Sequence, residues 1–115
     1  MTWEALEAVL SATGYEYARQ GSYAEAGELP ATFFTFWNLS TPEESFYDNQ
    51  PTKKVWEWQI YLYTKDPALM YSLMDDTLSM ARSAGFVLQG RARDIDSGEP
   101  GYVGRTATLL YVETI

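Results

Sequence analysis

The sequence predicts an α+β domain: a mostly antiparallel β-sheet with two helices packed on one face, in the order α-(β)-β-β-α-β-β. Three observations carry this. From Lys53 to Thr64, Trp56, Trp58, Ile60 and Leu62 alternate with Val55, Glu57, Gln59, Tyr61 and Tyr63, the period of two of a strand with one core face. Two other segments carry apolar stripes at helical spacing between helix start and stop signals. Strands and helices do not alternate in the manner of a parallel, doubly wound sheet.

Element by element, Thr2 is placed to cap a first helix with Trp3, Leu6, Val9 and Leu10 on one stripe, and Gly14 supplies a left-handed stop. Tyr15 to Gly27 mixes tyrosines with glycines, which suits a short strand followed by an irregular loop. Thr32 to Trp37 is β-branched and aromatic without helical period, so it reads as a buried strand. Asn38 to Thr52, with two prolines and three acids, reads as the longest polar loop; such loops tend to be functional, and this one carries Phe46 and Tyr47. The strand from Lys53 to Thr64 would run roughly 40 Å, long enough to project from a body whose expected radius of gyration is about 13 Å. Asp66-Pro67 opens a second helix, whose stripe of Met70, Leu73, Met74, Thr77 and Ala81 runs to Gly85. Phe86 to Ile95 and Tyr102 to Glu113 close the domain as a hairpin around the turn residues Asp96 to Gly101.

The 115 residues make one domain, 1–115. With no cysteine and no histidine, the chain lacks thiol nucleophiles, Ser-His-Asp machinery and the usual zinc, copper and haem ligands. Sixteen acids against eight bases, a net charge of -8, argue against autonomous nucleic-acid binding, which needs a basic face. Residues 1–50 hold eight of those acids against Arg19 alone. The start of the chain is acidic and amphipathic, unlike a signal peptide, and no apolar run reaches a membrane span, so the expectation is a soluble protein made in the cytoplasm.

The candidate catalytic patterns are weak. Asp75 and Asp76 diverge by about 100° around a helix. Asp94-Ile95-Asp96-Ser97-Gly98 begins like a calcium loop but lacks the remaining ligands. Tyr61 and Lys65 have a dehydrogenase-like spacing only on a helix, and here they fall on a strand. The glycines from Gly98 to Gly104 are followed by no lysine and no helix start, so they make no phosphate loop. Trp37, Trp56 and Trp58 would suit a stacking platform or a ligand pocket, though aromatics at strand spacing more often form core. No enzyme, cofactor or metal is therefore expected. What remains is surface. The outward side of the long strand presents Val55, Tyr61 and Tyr63, and the last strand places Thr106, Thr108, Leu110 and Val112 on one side and Val103, Ala107, Leu109 and Tyr111 on the other. Two helices cover one face, so the other calls for a partner. Phe46, Tyr47, Val55, Tyr61 and Tyr63 are the candidate assembly interface.

The order of elements, with Tyr15-Glu16-Tyr17, then Leu29-Pro30-Ala31-Thr32-Phe33-Phe34 entering a strand, Trp58 to Lys65 ending one, Asp66-Pro67 opening a helix, Ala84-Gly85-Phe86 closing it and Leu109 to Glu113 ending the hairpin, resembles the small tail-terminator proteins of long-tailed bacteriophages and prophages. The resemblance spans nearly the whole chain and rests on element order and short patterns rather than one motif. It implies a structural protein of the virion, assembled in the bacterial cytoplasm. Such a protein forms a ring of copies of itself, typically a hexamer, on the head-proximal end of the tail tube, touching the tail-tube protein and the head-tail connector. It implies no catalytic residue. A lumen that passes DNA should repel phosphate, which makes Glu43, Glu44 and Asp48 the candidate lumen-facing acids. The alternatives are another neck, minor tail or head-completion protein, and a cytoplasmic α+β domain binding a small ligand.

Overall fold

The computed structural model describes the backbone of residues 2–19, 30–40, 43–47 and 50–114, and the side chains of 3–19, 30–39 and 53–113. The elements are α1 (Thr2–Ala12), β1 (Glu16–Arg19), β2 (Thr32–Ser40), β3 (Glu43–Tyr47), β4 (Gln50–Thr64), α2 (Pro67–Ser83), β5 (Val87–Ile95) and β6 (Val103–Thr114). This is the α+β fold the sequence predicts. One sheet runs β1-β2-β4-β6-β5, with β3 also paired to β4. The β1–β2 pair is parallel, and the other pairs are antiparallel.

Local chemistry accounts for the helix ends. Asp66 sits in extended backbone and its carboxylate accepts from the amides of Ala68 at 3.0 Å and Leu69 at 3.4 Å, while Pro67 occupies the first turn, where no amide is missed. Beyond the C-terminal end of α2, Gly85 takes φ +100°, the left-handed conformation that terminates helices. The inward stripe of α2, Met70, Leu73, Met74, Thr77, Leu78 and Ala81, is buried. Thr77 keeps its hydroxyl satisfied there by donating to the Leu73 carbonyl at 2.7 Å.

Register decides which strand residues meet that stripe. Phe34 lies opposite Leu62, Phe36 opposite Ile60, Trp58 opposite Leu109 and Ile60 opposite Ala107. Their side chains join Leu6, Val9 and Leu10 of α1 and the stripe of α2 in one core. Each large aliphatic or aromatic side chain buried there contributes about 1.5–3 kcal/mol relative to exposure.

The stretch from Asn38 to Thr52 departs from expectation. Most of its described length is strand, not loop: β2 runs to Ser40, β3 covers Glu43–Tyr47, and β4 begins at Gln50. The β2–β4 register shifts by one between Asn38 and Ser40, with Leu39 as the extra residue, and β3 continues in the shifted register from Glu43 opposite Lys54 to Tyr47 opposite Gln50. Thus β2 and β3 form one side of a long hairpin and β4 the other. Two features reconcile this with the composition. Glu43 faces Lys54 and Glu44 faces Lys53 across the ladder, opposite charges at stabilising cross-strand positions. Pro51 lies past the last pairing of β4 with β6, at Lys53 and Thr114, where β4 has an edge that tolerates a missing amide. The resulting arm makes the molecule elongated, 54 × 29 × 22 Å with a radius of gyration of 15.2 Å, above the roughly 13 Å of a compact chain this long.

Candidate functional site

Both helices lie on one face of the sheet, and the opposite face reads off the register as a series of rows. From one end these are Phe33, Tyr63, Gly104 and Ile95; Thr35, Tyr61, Thr106 and Arg93; Trp37, Gln59, Thr108 and Gln89; Glu57, Leu110 and Val87; and Val55 with Val112.

The first rows are aromatic and closed. The Tyr61 and Tyr63 rings stack at 6.2 Å with 5° between planes, and the Phe33 ring lies 5.3 Å from Tyr63 and 5.9 Å from Tyr102. Tyr102 donates to the Pro30 carbonyl at 2.6 Å. Burial, with a smaller contribution from Tyr61, pushes the Tyr63 hydroxyl above its ordinary pKa. The middle rows are polar and mutually satisfied. The Gln59 amide donates to Thr106 Oγ at 2.6 Å, Thr106 donates to the Ile60 carbonyl at 2.8 Å, and Thr108 donates to Gln59 Oε1 at 3.2 Å. Side-chain pairing of this kind leaves little for a ligand to bind.

The far rows differ. Val87 is 59% exposed and Val112 54%, with half-buried Val55 and Leu110 beside them; Glu57 shares the row of Leu110 and Val87, and Trp37, 44% exposed, stands at the β2 end of the row before it. Leu39, the extra residue of the β2 bulge, is 41% exposed. Apolar side chains gathered on one uncovered face are the mark of an interaction surface.

Of the sequence-derived candidates, Val55, Tyr61 and Tyr63 share this face, Tyr61 and Tyr63 toward one end and Val55 at the other. Phe46 and Tyr47 belong to β3, opposite Pro51 and Gln50, and their side chains lie outside the described residues. Glu43 and Glu44 are in the same strand, each opposite a lysine, and Asp48 lies outside the described residues. Trp37, Val87, Leu110 and Val112, absent from the sequence-derived interface, complete the patch. The alternation of the last strand put Leu110 and Val112 on one side, but only the strand register sets Trp37 and Val87 on the same face and brings Val55 beside Val112. The tryptophans make no common pocket. Trp37 pairs with Gln59 and shares its face, whereas Trp56 and Trp58 point to the helix side and stack on each other at 6.0 Å and 10°. Their indole nitrogens are buried without a partner among the described residues.

Elsewhere, Asp75 and Asp76 lie exposed on α2. Asp94 joins α2 to the β5–β6 hairpin: Tyr71 donates to it at 2.7 Å, and Arg105 pairs with it while stacking 5.1 Å from the Tyr71 ring. Asp96 accepts from the Gly98 amide at 3.0 Å, a turn contact. Among the described residues no group of three carboxylates is placed to hold a metal ion, and no helix is long and apolar enough to cross a membrane. No protein-family model matches the chain, and no curated protein matches its sequence.

Proposed function

We propose that this protein is a structural part of a phage or prophage tail, assembling as a ring on the head-proximal end of the tail tube, where it stops tube growth and joins the tail to the head. The observation that carries the reading is the half-covered sheet. Two helices bury one face, while exposed Trp37, Val87 and Val112, with half-buried Val55 and Leu110, make the far end of the other face mostly apolar around Glu57. A chain built this way gains by associating. The tip of the β3–β4 hairpin supports the same reading: Lys53 and Lys54 also pair with β6, but beyond them, among the described residues, Phe46 and Tyr47 pair only with Pro51 and Gln50, and a two-stranded ribbon of this kind is marginal in water and is stabilised by packing against something else. Apart from the added β3, the order of elements is the one on which the sequence resemblance to tail-terminator proteins rests.

Its partners on this reading are further copies of itself, typically six, the tail-tube protein and the head-tail connector. The role needs no catalytic residue or cofactor. The test is to add the purified protein to a tail-tube subunit that polymerises on its own and to measure tube lengths by electron microscopy. The expected result is short tubes carrying one ring-shaped cap. Unchanged lengths at saturating protein would overturn the reading.

A further inference from the structure

The sheet has two unlike open edges, and together they specify a contact. At one side β5 pairs only with β6; at the other, beyond the end of β1, β3 pairs only with β4, among the described residues. Strand direction fixes how copies would meet. Because β3 and β6 both run opposite to β4 and β5 runs opposite to β6, β3 and β5 run in opposite directions. A second copy set beside the first in the same orientation therefore brings its β3 against β5 antiparallel, which is the more stable kind of pairing.

The chemistry of the two edges is complementary. β5 carries Arg91 and Arg93, both exposed, and neither has a hydrogen-bond or ion-pair partner among the described residues. β3 begins with Glu43 and Glu44. The β5 edge is also divided. Its register with β6 breaks between Gln89 and Arg93, where Gly90 takes φ +70°, leaving only short regular runs at either end. Such a bulge blunts an edge against open-ended sheet growth; each regular run, 87–89 or 93–95, is shorter than the five residues of β3, so a neighbouring β3 would pair over one run and lay its remaining residues across the bulge at Arg91.

We propose that the acidic β3 edge of one copy adds to the basic β5 edge of a second copy, head to tail. This rests on the ring reading and names the contact that would join neighbouring subunits. Relative to β4, β3 faces residues 50–54, whereas β5, through β6, lies level with 57–63. The two copies are therefore offset along the strands by about eight residues, roughly 26 Å at the rise of a strand. The arm supplies that reach. Because the two surfaces differ, the contact is heterologous, and it makes a ring where each copy is rotated against the last so that the series closes.

The test uses charge reversal in the full chain, read by native mass spectrometry over a range of concentrations. Arg91→Glu with Arg93→Glu should weaken self-association about tenfold or more, and Glu43→Lys with Glu44→Lys, made together with Lys53→Glu and Lys54→Glu so that the cross-strand charge pairs within the arm are kept, should do the same. Mixing the two reversed proteins should restore assembly, since each then offers the edge that the other lacks; recovery also shows that both variants fold. The chain has no cysteine, so Glu44→Cys mixed with Arg91→Cys should give a disulfide-linked dimer under mild oxidation. Association unchanged by either reversal would overturn the contact and leave the ring reading standing. Losses that mixing does not recover, or a wild-type protein that stays monomeric without a 44–91 cross-link, would also overturn it, and tube capping judges the ring reading separately.

Discussion

Single residues show how closely the uncovered face is fitted at its aromatic end. A Cβ added at Gly104 would lie 3.0 Å from Ile95 Cγ1 and 3.2 Å from the Tyr63 ring, so that ring covers a position where a side chain is not accommodated. Gly104→Ala is expected to lower stability by about 1–3 kcal/mol through overpacking, seen as a drop in the urea midpoint with unchanged slope. An unchanged midpoint would show that Tyr63 moves aside without cost. The Asp94 cluster gives a pH dependence. Hydrogen bonds from Tyr71 and then Arg105 hold the Asp94 carboxyl below its ordinary pKa. A carboxylate depressed in the folded state stabilises it fully above the unfolded value near 3.9, and that stabilisation disappears as pH falls through the folded value. The difference in melting temperature between wild type and Asp94→Asn should therefore be present at pH 7, shrink below about pH 4 and narrow in high salt, because the Asp94 side chain is more than half exposed. A difference constant from pH 7 to pH 2 would rule out the ionic origin.

Elements differed in how far the sequence disclosed them, and the dividing line is the range of the interaction responsible. Asp66, Pro67 and Gly85 mark α2 through contacts within a few residues, and the inner half of β4 shows its alternation without reference to any partner. The arm was not legible in this way. Pro51, the acids and the short polar side chains of 40–52 have low strand propensity, and what makes β3 a strand is its pairing with β4, including Glu43 opposite Lys54 and Glu44 opposite Lys53. The misplaced tryptophan cluster has the same cause, since the face shared by Trp37 depends on its pairing with Gln59. Likewise the exposed patch is assembled from four strands, and no local pattern announces it. Because the core draws on β4 residues from Trp56 onward, the arm is expected to be dispensable for folding. Replacing residues 43–54 by Asn-Gly should leave a cooperative thermal transition and near-UV dichroism like the wild type. Collapse into a state without fixed tertiary packing would mean that the arm belongs to the folding unit.

For the whole molecule, the question is whether the far end of the uncovered face is needed for the fold or only for association. Val87 and Val112 are more than half exposed, so a charged side chain at either site remains in water and loses little packing. The core on the helix side does not include them. Val87→Lys and Val112→Glu should therefore change stability by only about 0.5 kcal/mol, the usual range for surface substitutions. Association should respond far more strongly. Burying either new charge against an apolar partner carries a desolvation penalty, and the loss should appear as slower assembly or smaller species in native mass spectrometry and analytical ultracentrifugation. A double variant that keeps wild-type association would show that the patch faces solvent in the assembly, leaving the arm and the sheet edges as the contacts. A double variant that unfolds would show instead that the exposed valines support the sheet itself. The combination expected of an assembly surface is an intact thermal transition together with lost association.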